Sequence, residues 1–144
     1  MQRTISIGVL VLVLCAASRS SAADLPIVLD GQPAATIVVP AQADEWTRKA
    51  AEWVRDYVKQ STGAALPILP EEQAPSAPLI SVGRTRMAQA AGVSAEDLRW
   101  DGCRMVVKGN VLYLIGHDDP MGPNEWGGSN IGPKGTCRAA TLFL

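Results

Sequence analysis

The chain is poor in the residues from which metal centres and thiol chemistry are built, with one histidine, His117, and three cysteines in 144 residues. A closed zinc site needs four nitrogen or sulfur ligands, and a catalytic thiol needs a base beside it, so neither is assembled from this stock. Basic residues number 13 against 14 acidic ones and nowhere cluster, which excludes the basic patch that nucleic acid demands. Long apolar runs are also missing. The longest, Ile5 to Ala17 (ISIGVLVLVLCAA), is too short to cross a bilayer comfortably, so no stable membrane anchor is expected.

What is present at the start has the order of an export signal. Met1-Gln2-Arg3 supplies positive charge, the apolar run follows, and Ser21-Ala22-Ala23 supplies small residues for cleavage before Asp24. Residues 1–23 read as a secretory signal peptide and 24–144 as one unit, secreted or periplasmic. Leu14 is bulky where a lipid-modified Cys15 wants a small neighbour. Removal of the signal takes away Arg3 and Arg19 and no acid, leaving the remainder more acidic. Hydrophobic residues at 47% and charged ones at 19% are the balance of an ordinary globular domain.

Along the unit, LPIVLDGQPAATIVVP (25–40) reads as two strand-forming runs around the turn residues Asp30 to Pro33. The next stretch is helical: Asp44 caps it, Trp46, Ala50, Trp53, Val54, Tyr57 and Val58 form its apolar stripe, and Gly63 ends it. A short strand is predicted over 65–70 and a buried central one over Leu79 to Gly83. Arg84 to Gly92 reads as a short helix capped by Thr85, and Ser94 to Leu98 as a further helical turn. DGCRMVVKGNVLYLIG reads as a hairpin turning at Gly109-Asn110. Pairing outward sets Val107 opposite Leu112, Met105 opposite Leu114 and Cys103 opposite Gly116 on one apolar face, which helices should cover. A Gly- and Pro-rich loop of about twenty residues then leads into a last helix. That helix stops at Leu142-Phe143-Leu144 without cap or terminal positive charge, so the domain is expected to be truncated there.

Candidate sites are few. His117, Asp118, Asp119, Asn124, Glu125 and Asn130 bring oxygen donors for a hard cation, but in no EF-hand spacing, and ordinary loop polarity accounts for them; no metal or cofactor is expected. Asp118-Asp119 and Glu71-Glu72 are paired carboxylates, but adjacent side chains diverge and rarely flank one bond, so no catalytic residue is assigned. Trp100 and Trp126 carry faces on which sugar rings stack, with Trp126, Asp118 and Asp119 the candidates for binding substrate. Cys103 points into the hairpin's core face, where the last helix would bring Cys137, making the two a candidate disulfide.

Taken in order, IVVP, AAEWVRDYVKQSTGAALPI, ISVGRT, DGCRMVVKGNVLYLIGHD and GTCRAATLFL resemble the N-terminal domain of family 67 α-glucuronidases, and the arrangement is similar to the small domain before the barrel of β-hexosaminidases. The resemblance spans about Ile27 to Leu144. It departs at Cys137, where relatives tend to carry a bulky apolar or aromatic residue, and in the length of the preceding loop. It implies an α/β (α+β) fold, a mixed sheet of about five to six strands with two to three helices mainly on one face. It further implies a non-catalytic accessory domain of a secreted polysaccharide-degrading glycoside hydrolase, with chemistry in a downstream (β/α)8 barrel that also takes the carbohydrate substrate. The alternative is a free-standing secreted module that binds carbohydrate or calcium.

Overall fold

The computed structural model describes residues 24–76, 78–118 and 134–144. The predicted signal peptide, Asp119 and Trp126 lie outside these residues, as do Asn124, Glu125 and Asn130.

Two strands, β1 (Val28–Leu29) and β2 (Gln32–Pro33), make a small ribbon around Asp30 and Gly31, both at positive φ, and β3 (Thr36–Val39) follows. Helix α1 (Glu45–Thr62) begins where the Asp44 carboxylate accepts the Thr47 N–H at 2.7 Å and the Thr47 hydroxyl at 3.2 Å. It ends at Gly63, φ 80°, whose N–H donates to the Lys59 carbonyl at 2.8 Å. Then come β4 (Ile68–Pro70), a 3-10 turn (Glu71–Gln73), β5 (Leu79–Val82), α2 (Arg86–Ala90, capped by the Thr85 hydroxyl), β6 (Cys103–Lys108), β7 (Val111–Gly116) and α3 (Gly135–Phe143).

The main sheet is mixed, in the order β4-β3-β5-β7-β6, with only β6 antiparallel to its neighbour. β5 is central and buried on both faces, as its unbroken apolar run implies. The hairpin has the register deduced from its turn, Val107 opposite Leu112, Met105 opposite Leu114 and Cys103 opposite Gly116. Helices α1 and α3 cover one face of the sheet, where Ile37, Ile80, Val82, Leu112 and Leu114 meet Ala50, Val54, Ala139 and Ala140. The other face carries α2 and the turns after it, with Ala88, Val93 and Ala95 against Tyr113 and Ile115.

Ser94 to Leu98 forms a single turn, with the Ser94 hydroxyl accepting the Glu96 N–H at its start and the Leu98 N–H donating to the Ala95 carbonyl. Two expectations change. On α1 the buried stripe centres on Thr47, Ala50, Ala51, Val54 and Val58, small enough for close approach to the sheet, and Trp53 and Tyr57 are exposed on its flank. The apolar hairpin face is covered over β7 and at Cys103, but not along the rest of β6. Met105 and Val107 on the rim are 51% and 53% exposed, whereas Tyr113 and Ile115 on the opposite face are buried by the α2 layer.

Gly83, at φ 80°, sits where α1 presses on the end of β5; a Cβ there would lie 2.7 Å from Thr47 Cγ2. Gly63 has the same φ and open space. Gly63→Ala is therefore expected to cost about 1 kcal/mol by backbone strain, and Gly83→Ala about 3 kcal/mol by strain and overlap together. Urea unfolding midpoints of the two variants check the difference.

Candidate functional site

β3, β5 and β7 all end at one edge of the sheet, and the connections to α1, α2 and α3 all leave from it. In open α/β sheets this carboxyl edge is where ligands settle. Here it gathers Asp44, Arg84, Thr85, His117, Asp118, Lys134 and Thr136.

Asp118 organises the edge. One carboxylate oxygen accepts the Thr136 N–H at 2.9 Å and the other accepts the Thr136 hydroxyl, so the acid caps the first turn of α3 across 18 residues of sequence. Burial pushes its pKa above the ordinary carboxylate value, helped by the charge of Asp44 and opposed by the Thr136 bonds and Arg84. Around it the chain closes a stem. His117 donates its N–H to Gly102 and accepts that of Gly135, both at 2.9 Å; Asp118 and Lys134 form an antiparallel bridge; and the Lys134 N–H donates to Asp101 at 2.8 Å. Gly116 and Gly135 are forced by this geometry, since a Cβ on Gly116 would overlap the Gly135–Thr136 backbone. Behind the stem, the Lys134 ammonium stands 4.3 Å from the centre of the Trp46 ring.

Of the residues singled out from sequence, Asp118 is in this stem. Trp100 is 82% exposed at φ 55°, beside Asp101. Cys103, partly buried, and Cys137 contribute to the same core cluster, and the structure holds both as free thiols. Cys137 donates to the Trp46 carbonyl at 3.4 Å, and burial, with Asp118 nearby, pushes its pKa up to about 11. Glu71 and Glu72 converge rather than diverge: both grip the Arg86 guanidinium, at 3.2 and 2.5 Å, and Glu71 accepts the Arg86 N–H at 2.7 Å at the start of α2. The 3-10 turn brings their side chains to one side.

A feature absent from the sequence reading is a groove of about 390 Å³ between α1 and β4, walled by Arg48, Glu52 and Arg55 and floored by Val39, Pro40 and Ile68. Its only signal was charge at i, i+4 and i+7 on α1, which any solvated helix face shows. Arg55 is bonded to its neighbour Asp56 at 2.8 Å. Among the described residues no group of three or more His, Cys, Asp or Glu is placed to hold a metal ion, and no helix is long and apolar enough to cross a membrane. No protein family, curated protein or solved structure matches the chain.

Two outcomes test this geometry. A raised Asp118 pKa means that the folded chain keeps a proton the unfolded chain has released just above the ordinary carboxylate value, so stability falls as pH rises through that window. The stability of the wild type relative to Asp118→Asn should therefore decline in urea titrations as pH rises above the ordinary carboxylate value, whereas a flat difference contradicts the placement. Under native conditions near pH 8, iodoacetamide should label Cys103 before Cys137, as read by mass spectrometry. An exported protein in which neither reacts until reductant is added would establish the Cys103–Cys137 bridge.

Proposed function

We propose that the chain is a non-catalytic N-terminal accessory domain of a secreted, α-glucuronidase-like glycoside hydrolase that degrades polysaccharides, with catalysis in a downstream (β/α)8 barrel. The observation that carries this reading is where the carboxylates go. Asp44 caps α1, Asp118 caps α3, Glu71 and Glu72 hold Arg86 at the start of α2, Asp97 pairs with Arg104, and Asp101 accepts from Lys134. Glycoside hydrolysis needs two carboxyl groups flanking one bond, one of them free to give up a proton. Acids engaged in this way brace helices against a sheet, which is the work of a scaffold. The exposed Trp53 and Tyr57, four residues apart on the flank of α1, give a neighbouring domain apolar ground to pack on.

A second reading, a free-standing secreted carbohydrate-binding module, draws on Trp100, whose ring stands nearly bare beside the stem. Asp118, one of the oxygen donors considered for calcium, is already occupied by Thr136.

The two readings separate on the native protein. An antibody raised to this segment should detect, in the secreted fraction of the source organism, a product several times larger than this chain that hydrolyses uronosides. A native product of this chain's own size that binds polysaccharide, and loses that binding on Trp100→Ala, overturns the accessory-domain reading in favour of the module.

A further inference from the structure

The two edges of the main sheet are treated differently. β4 has three residues, ends in Pro70 and follows Pro67, so little of its outer side can accept another strand. β6 has six residues, CRMVVK, with neither proline nor glycine. We propose that β6 is a pairing edge, and that two copies of this chain associate by laying their β6 strands antiparallel about a twofold axis at Met105.

The turn determines which backbone groups point outward. A two-residue connection at Gly109-Asn110 makes Lys108 and Val111 the first reciprocally bonded pair, and alternation then turns Lys108, Val106 and Arg104 toward β7. Cys103, Met105 and Val107 therefore direct their N–H and C=O groups away from the sheet. Lysine and arginine commonly guard such an edge, but here both are drawn back onto the α2 layer. Arg104 donates to the Ser94 carbonyl and to Asp97, each at 2.7 Å, and Lys108 donates to the Ala91 carbonyl at 2.5 Å.

The opposite face of the strand is apolar and open. Met105 and Val107 are half exposed there. Helix α3 starts beside Gly116 and runs back along the hairpin, so Leu142, seven residues into it and about 10 Å along, comes level with the far half of β6. Leu142 is 63% exposed.

The self-complementary register of this edge argues for a second copy as occupant. A twofold axis normal to the sheet keeps each face on its own side, so it must pass through a residue and not between two. Centred on Val106, it would set Arg104 opposite Lys108 of the second copy, like charge against like. Centred on Met105, it sets Met105 opposite itself and Cys103 opposite Val107, and every outward residue exchanges both its backbone hydrogen bonds. Lys108 then faces Gly102 and Arg104 faces Val106, the two diagonally placed Arg104 side chains each being held by Asp97 of their own copy; the two five-stranded sheets become continuous, and both apolar patches meet on the α3 side.

Sedimentation equilibrium on the full chain tests this. The wild type should dimerise at micromolar concentration, and Met105→Lys, which sets two ammonium groups face to face at a half-exposed position, should weaken the dimer at least tenfold while its circular dichroism and melting stay those of a folded chain. Trp53→Lys, on the far flank, should leave dimerisation unchanged. In a Cys103→Ser background, Met105→Cys should form an intermolecular disulfide on mild oxidation, and Lys108→Cys, roughly 20 Å from its counterpart in this register, should not. A wild type that stays monomeric throughout overturns the proposal. So does association that survives Met105→Lys but not Trp53→Lys, or a monomer that takes up added strand-forming peptides at β6.

Discussion

The grip of Asp118 on the first turn of α3 is the contact on which the rest of the structure depends. The helix is short, with nine residues, and an isolated helix of that length does not persist in water. It is held by the Thr136 bonds at its start, by the backbone contact of Gly116 with Gly135, and by Ala139 and Ala140 against β7. Once placed there it covers part of the sheet and buries Cys137 against Trp46. The acid accepts desolvation, visible in its raised pKa, because its oxygens satisfy N–H and O–H groups that would otherwise be stranded at the helix terminus.

The same solution recurs at α1 and α2, and it makes the carboxyl edge of the sheet an unusual place. Helix N-termini gathered at such an edge ordinarily attract external anions. In this chain Asp44, Glu71 and Asp118 fill that role from within. The helix starts at this edge are thereby capped from within, which supports the proposed reading of the domain as a brace for a neighbour. The exposed features lie at the periphery: the groove beside β4 walled by Arg48, Glu52 and Arg55, the bare ring of Trp100 and the apolar rim of β6.

What the residues revealed in advance was whatever depends on local spacing. The caps of α1, the burial of β5 and the hairpin register follow from Asp44, Gly63, the run LISV and the Gly-Asn turn, each acting on neighbours a few residues away. What they concealed depends on how far one layer overhangs another. Periodicity located the apolar side of α1, but Trp53 and Tyr57 fall beyond the strip a flat sheet can cover, and the stripe shifted toward Thr47 and Ala51. Alternation identified the faces of β6 without disclosing that α3 stops short of its rim. Asp118 was noticed as one of an acidic pair, yet its partner is 18 residues away, beyond any motif. Glu71 and Glu72 likewise find Arg86 only because a 3-10 turn aims them together.

The closed stem has a consequence for how such a chain can diversify. Asp118 and Lys134 meet in a bridge and their flanks are bonded to Gly102 and Asp101, so the two ends of the intervening segment are pinned together beside α3. Lengthening a connection between pinned ends costs only about 0.6 kcal/mol per doubling. A change of length between positions 118 and 134 is therefore expected to cost the rest of the fold little stability.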